Sequence, residues 1–384
     1  MKSYDVTIVG AGVFGAWTAY QLRREGAKVL LLDSYGPGNS RASSGGESRL
    51  MRLGYGPDKI YTRSAQRSLE LWREFFARLE PSNDVRSALF HPTGVLWLAR
   101  DRDAYCEATL RTLQRAGARF EKLERDELNR RFPQLAPGPV AWGILEPEAG
   151  VLMARRAVQA VVARAGADYL QEAIVPPHVH GTLQSIQTVS GSTIAADRFV
   201  FACGPWLPKL FPELLRGRIH VTKQEVFFFG VPPGEPLFSS QQMPAWIDFN
   251  DLVYGIPNID GRGFKIAIDA HGPEFDPDTG ERVVSEAGLN AARAYLAQRM
   301  PLLDGAPLVE TRVCQYENTS NGDFLIDQHP AAENVWLVGG GSGHGFKHGP
   351  AVGEYVAQMI SGRGTREPRF SLATKEQVQH RQVY

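Results

Sequence analysis

Residues 4–33 read YDVTIVGAGVFGAWTAYQLRREGAKVLLLD, and this stretch decides the fold. A β-branched run, Val6-Thr7-Ile8-Val9, meets Gly10-Ala11-Gly12-Val13-Phe14-Gly15. A helical pattern follows, and a second apolar run from Lys28 to Leu32 ends at Asp33. The spacing predicts strand, glycine turn, helix and strand in succession. Gly10 permits the tight turn, Gly12 lets a pyrophosphate approach the backbone, and Gly15 lets helix and strand pack closely. The helix N-terminus stabilises the phosphate charge. Asp33 is spaced to accept from a ribose hydroxyl. An acid there favours an ADP-ribose without a 2′-phosphate, so FAD and NAD both fit this segment alone.

The chain has 384 residues, enough for two domains. Hydrophobic residues are 43% and charged residues 22%, the balance of a globular protein and not of a disordered or fibrous one. Forty-two basic residues match forty-two acidic ones, so no global field draws nucleic acid or an anionic membrane, and a charged ligand must be gripped locally. No segment reaches the ~18 uninterrupted apolar residues of a membrane span. The three cysteines, Cys106, Cys203 and Cys314, are too few and odd in number for a disulfide framework, and predict a cytoplasmic setting.

Beyond Asp33 the composition of residues 34–46 is that of a loop, and it leads into two arginines, Arg49 and Arg52. Helical spacing covers 59–82, 101–118 and 151–165, whereas Thr93 to Leu98 alternates as a strand and Tyr169 to Val175 reads as another. The apolar run Arg198 to Trp206 suits a buried parallel sheet beside the first strand. Several β runs between 218 and 270, separated by Pro and Gly turns, predict an antiparallel sheet. Val335 to Val338 then enters a glycine loop, 339–347, and a helix to about Ile360. The expected fold is α/β with two domains: a discontinuous Rossmann-like nucleotide domain of residues 1–85, 150–217 and 320–372, and a substrate domain of 86–149 and 218–319 with an antiparallel sheet. Residues 373–384 form a C-terminal tail.

These landmarks together resemble the monomeric sarcosine oxidase family of flavoproteins, which includes N-methyltryptophan and pipecolate oxidases and lies within the D-amino-acid oxidase superfamily. The resemblance rests on Gly10 to Asp33, Gly-Glu-Ser-Arg-Leu-Met-Arg at 46–52, Gly263-Phe264-Lys265-Ile266, Cys314-Gln315-Tyr316, Phe324-Leu325-Ile326-Asp327 and Gly343-His344-Gly345-Phe346-Lys347. It implies an FAD-dependent oxidase of a secondary or N-methyl amino acid that uses oxygen and releases hydrogen peroxide. It also implies a monomer whose partners are the small amino acid and oxygen, with neither nucleic acid nor membrane.

The resemblance implies roles residue by residue. Cys314 matches the cysteine that carries FAD through a thioether, attachment that a thiolate nucleophile makes. Lys265 matches a lysine beside the flavin, where a cation stabilises superoxide as it forms. Arg52 and Lys347 match the pair that holds the substrate carboxylate, a fork and a point charge on one anion. Arg49 matches a basic residue near the flavin face, and Tyr254 and Tyr316 match active-site tyrosines. The implied cofactor set is Gly10, Gly12, Gly15, Asp33, Ser43, Arg49, Val175, Gly204, Trp206, Cys314, Gly343, His344, Gly345, Phe346 and Lys347. His344 and His348 stand four apart, but glycines surround them and no third ligand is nearby, so no metal is expected.

Two departures stand out. Ser44 and Gly45 occupy the place of a histidine pair, and Asp269 stands where relatives have an active-site histidine. Asp269 thus belongs to the substrate-binding set and predicts a substrate with a polar or cationic group beyond its amine, unless it caps a turn or pairs with Arg262. Rival readings are a flavin dehydrogenase with a non-oxygen acceptor and a non-catalytic flavin-binding subunit. An NAD-dependent dehydrogenase accounts for Gly10 to Asp33 but leaves Cys314 and the 339–347 loop without a role.

Overall fold

The structure, a computed structural model, describes residues 4–79 and 88–380. The expected domain boundary between 85 and 86 lies outside the described residues, as do 1–3 and 381–384.

The β-branched residues of Tyr4–Val9 form the centre of a seven-stranded sheet. This strand pairs in parallel with Val29–Leu32 on one side and with Thr193–Phe201 on the other. Asp168–Leu170 extends the first side; Ala332–Gly339 and the antiparallel Leu325–His329 extend the second. Helices cover one face: Val13–Arg24 packs on Ala154–Ala165 and on Gly349–Ile360. The strand ends, with the loops that follow them, therefore converge on the turn at Gly10, where an open α/β sheet binds its ligands.

A second sheet has eight strands, in the order Leu308–Thr319, Ile219–Phe229, Phe264–Ile268, Val253–Ile256, Ala245–Asp248, Val95–Ala99, Trp142–Glu146, Glu121–Glu124. The β runs of 218–270 pair antiparallel as expected, and at one seam Ala245–Asp248 and Val95–Ala99 run parallel. A small sheet joins Arg49–Met51 and Phe90–His91 to Gly150–Leu152. Helix 151–165 is accordingly shorter than its periodicity suggests. Val151 and Leu152 pair with Leu50 and Arg49, and the helix starts at Ala154. The strand expected over Tyr169 to Val175 pairs with the first sheet only to Leu170; beyond it the chain turns to another partner, and the Val175 amide donates to the Gln187 carbonyl.

The long strand Leu308–Thr319 places the site. It pairs along its length with Ile219–Phe229, Cys314 opposite Gln224 and Tyr316 opposite Thr222, and so carries Cys314, Tyr316 and Glu317 toward the first sheet.

Candidate active site

The turn after the first strand forms the floor of a cavity of about 300 Å³. Gly10 adopts φ +108°, and a Cβ there would lie 2.2 Å from the Ala202 carbonyl oxygen; one on Gly15 would lie 1.9 Å from the Gly10 carbonyl oxygen. Only glycine permits this close approach of strand, helix and neighbouring strand. Gly12 lines the cavity, and the Val13 amide at the helix start donates to Ser44 Oγ at 3.0 Å. Ser44 thus caps the nucleotide helix. Asp33 accepts from the amides of Ala11 and Tyr35, each at 2.8 Å, and burial still holds its carboxyl above the usual range.

Ser43, Gly204 and Trp206 line the same cavity. Val175 does not; it is 46% exposed, and its neighbours Ala173 and Ile174 provide the wall in its place. On the wall near Gly341, Glu317 accepts from the Gly341 amide through Oε1 at 3.2 Å, whereas its buried Oε2 has no hydrogen-bond partner among the described residues. Burial raises this carboxyl to about 7. The glycine cradle, the terminal Asp33 and an orphaned acceptor on the wall fit a hydroxyl-bearing dinucleotide such as FAD.

A smaller cavity, about 80 Å³, adjoins the first. Arg49, Cys314, Tyr316, Ser342, Gly343 and Phe346 line both, so the two spaces share a wall. The Arg49 guanidinium donates to the carbonyls of Ser48 and Ser43, each at 2.9 Å, and to Cys314 Sγ at 3.2 Å. Burial opposes its charge, but Cys314 and the Tyr254 and Tyr316 hydroxyls hold its pKa above the ordinary guanidinium value. Gly343 has φ +77°, and a Cβ there would meet the Tyr316 ring at 2.8 Å. Gly345 lines the larger cavity; His344 lines the smaller one and stacks on Phe324.

Arg52 and Lys347 both reach the smaller cavity, and both are buried. Arg52 donates to the Gly54 carbonyl and lays its guanidinium 4.2 Å from the centre of the Tyr55 ring and 5.0 Å from that of Trp97. Lys347 Nζ donates to Tyr55 Oη at 2.8 Å and to the His344 carbonyl at 2.9 Å. Burial and the neighbouring Arg52 push the Lys347 pKa well below the usual lysine value, while Asp269 and Glu146 oppose that fall. Arg52 and Lys347 thus bring two buried basic groups to one small cavity, a fork and a point charge suited to grip a carboxylate. Glu146 steadies the loop behind them, accepting from the Leu53 and Gly54 amides at 2.6 and 3.1 Å and from Trp97 Nε1 at 2.6 Å.

Asp269 faces these cations from the strand end after Ile268. Tyr316 donates its hydroxyl to Asp269 Oδ1 at 2.6 Å, and burial raises the carboxyl against that bond and the two cations. Arg262 pairs instead with Glu310 and Glu47, so the alternative Asp269–Arg262 pair is not formed. Tyr254 lines the same cavity, its hydroxyl pushed up by burial. Lys265 lies beside this wall and lines neither cavity: Nζ donates to the Ser48 carbonyl at 2.9 Å and sits 5.5 Å from the Tyr254 ring centre. Burial and Arg49 depress its pKa strongly.

Four further groups join the site in the structure: Tyr55, Glu146, Glu317 and His348. Glu317 adjoins the Cys314-Gln315-Tyr316 motif and is legible there; Glu146 lies far from Arg52 in sequence and carries no signal. Asp327, part of another quoted motif, lies in neither cavity and binds Ser371 Oγ and Arg366.

The profile of FAD dependent oxidoreductases matches residues 5–359. The chain is 32% identical over 373 residues to the monomeric sarcosine oxidase of Bacillus sp. (strain B-0618), covering 93% of this chain and 92% of that protein. It is 28% identical to the N-methyl-L-tryptophan oxidase of Salmonella heidelberg (strain SL476), covering 96% and 97%. Among solved structures, L-proline dehydrogenase from P.horikoshii superposes with a TM-score of 0.81 at 20% identity, covering 97% of both chains, and shares the fold. The chain belongs to the family of FAD dependent oxidoreductases.

Proposed function

We propose that this protein oxidises a secondary or N-methyl amino acid at its C–N bond, giving an imine, and reduces O2 to H2O2. The observation that carries the reading is the pair of buried cations, Arg52 and Lys347, in a small cavity whose wall is shared with the dinucleotide cavity. The two relatives above support the substrate class by their names, sarcosine and N-methyl-L-tryptophan oxidases.

Arg52 and Lys347 hold the substrate carboxylate, which leaves the amine to face Asp269 and the Tyr316 and Tyr254 hydroxyls. Asp269 lies within the field of both cations and opposite them, so the site suits a substrate negative at one end and positive or polar at the other. The oxidation removes a C–H hydrogen with its electron pair, from the α or N-methyl carbon, together with the amine proton. The two electrons and two protons end on O2, and water splits the imine into a carbonyl compound and an amine. FAD, when bound, supplies the two-electron acceptor between amine and oxygen. Cys314 Sγ is the proposed point of covalent attachment, with Arg49 beside it. The Gly343 to Lys347 loop and the glycines of the turn hold the rest of the cofactor. Lys265, buried beside Ser48 at the edge of the site, is the proposed group for oxygen activation.

On this reading the cofactor domain comprises 1–85, 150–217 and 320–372 and the substrate domain 86–149 and 218–319, and the protein is a cytoplasmic monomer. Among the described residues no helix is long and apolar enough to cross a membrane. Peroxide yield per amine consumed tests the reaction. Equimolar peroxide is expected. Amine oxidation that needs an added dye and yields no peroxide would replace the oxidase with a dehydrogenase.

A further inference from the structure

Behind Lys347 a line of hydrogen bonds runs from the smaller cavity to a half-buried serine. Lys347 Nζ donates to Tyr55 Oη at 2.8 Å; Tyr55 Oη lies 2.6 Å from His348 Nε2; His348 Nδ1 lies 2.9 Å from Ser64 Oγ. Tyr55 and His348 are buried, 1% and 0% exposed, and Ser64, on the helix Lys59–Ala77, is only half-buried. A fully buried imidazole with both nitrogens engaged, and one hydroxyl from the surface, is in excess of what packing requires.

We propose that Ser64, His348 and Tyr55 form a proton relay that carries a proton between the protein surface and the Lys347 amine when a carboxylate enters or leaves the site. The inference rests on the reading that Lys347 holds the substrate carboxylate. It adds His348 as a positioning residue that acts through Tyr55 and touches neither substrate nor cofactor.

The geometry sets the route. His344 Nδ1 also approaches Tyr55 Oη, at 3.3 Å, but His344 Nε2 faces the Gly322 carbonyl at 3.0 Å. A carbonyl oxygen only accepts, so Nε2 is assigned the hydrogen and Nδ1 is left bare. That imidazole ends against a group that cannot pass a proton on. His348 ends against a hydroxyl, which can both accept and donate. Before uptake, Ser64 donates to His348 Nδ1, His348 Nε2–H donates to Tyr55 Oη, and Tyr55 donates to the neutral Lys347 amine. Each hydrogen then moves one place inward. A proton from water replaces the one that Ser64 gave, His348 ends protonated at Nδ1, and Lys347 ends as an ammonium. Every bond broken is matched by one formed, and each hydrogen bond is reversed in direction.

The environment supplies the reason for a relay. Burial and Arg52 make the Lys347 ammonium costly while no substrate carboxylate is bound, and Asp269 and Glu146 only partly offset this. An arriving carboxylate reverses the balance and draws a proton onto Lys347. That ligand also fills the cavity through which water would deliver it. Burial, Lys347 and Arg52 in turn hold the His348 pKa well below the usual imidazole value, so His348 passes a proton on and does not retain it. Its other neighbours are the rings of Tyr61, Phe324 and His344.

The test uses the flavin-loaded enzyme and acetate as the probe carboxylate, in weakly buffered solution at mildly alkaline pH. Acetate binding is followed by the flavin spectrum and proton uptake by an indicator dye in the same stopped-flow mixing. In the unaltered enzyme, uptake keeps pace with binding. In His348→Phe, uptake lags binding by at least about tenfold. Ser64→Ala, which leaves the buried rings untouched, shows the same lag and serves if His348→Phe does not fold. Uptake that keeps pace with binding in both variants overturns the relay, as does acetate binding to the unaltered enzyme without uptake. Acetate binding as tightly to Lys347→Met as to the unaltered enzyme overturns the underlying assignment of Lys347 itself.

Discussion

Cys314 Sγ accepts a hydrogen bond from the Arg49 guanidinium at 3.2 Å, at the wall that the two cavities share. Arg49 is held there by the carbonyls of Ser48 and Ser43 and cannot swing away without losing both bonds. A fixed cation in contact with the sulfur is placed to stabilise the charge of a thiolate attacking an electron-poor ring. Acid precipitation of the purified protein should therefore carry the yellow colour into the pellet, and Cys314→Ala should release it to the supernatant. Arg49→Met should leave the fold intact and lower the fraction of flavin that stays with the pellet.

The carboxylate clamp makes a kinetic prediction. Arg52→Gln and Lys347→Met each remove a charged donor from a buried anion site, a change of about 2–3 kcal/mol, or roughly a hundredfold in kcat/KM. Most of the loss should appear as a raised KM. Amines that lack a carboxylate should be much less affected, which a substrate panel checks.

Asp269 brings a carboxylate to the substrate cavity. The Tyr316 hydroxyl orients it toward the cavity, opposite Arg52 and Lys347. Asp269→His should invert the ranking of substrates with a second basic group against those with a neutral side chain, by about tenfold or more. An unchanged ranking would mean that the carboxylate serves only to fix Tyr316.

The nucleotide half of the fold is legible in the sequence because Gly10 to Asp33 is a local signal. Strand, turn and helix are set there by neighbours along the chain, and the glycines announce the close approach. Cys314 and Arg49 come together in the sequence only through motif resemblance, since 265 residues separate them and no periodicity links them. His348 is visible there too, but only as a residue four places beyond His344. What the sequence does not convey is that Tyr55 stands between the two rings, or that Ser64 reaches the outer one. Val175 fails because the chain turns its side chain to solvent there and leaves the wall to Ala173 and Ile174.

Glu317 gives a pH prediction. Its folded pKa, about 7, stands above the ordinary 4.5. The flavin-free folded protein therefore binds a proton that the unfolded chain has lost, so stability falls as pH rises from 4.5 to about 7 and levels off above. The difference is of the order of 3 kcal/mol. Glu317→Gln should raise the melting temperature of flavin-free protein at pH 8 and have little effect at pH 4.5.

Gly343→Ala should destabilise by about 1–3 kcal/mol, because it combines a left-handed backbone with a Cβ pressed on the Tyr316 ring. Thermal unfolding measures the loss. Displacement of Tyr316 should appear in the same variant as a fall in turnover.

The most direct test of the proposed oxidation is to mix the flavin-loaded protein, without oxygen, with a panel of N-methyl and cyclic secondary amino acids and follow its yellow absorbance. Bleaching by some of them is expected, none by their carboxamides, and return of colour with equimolar peroxide when oxygen is admitted. A flavin that no amino acid in the panel bleaches would contradict it.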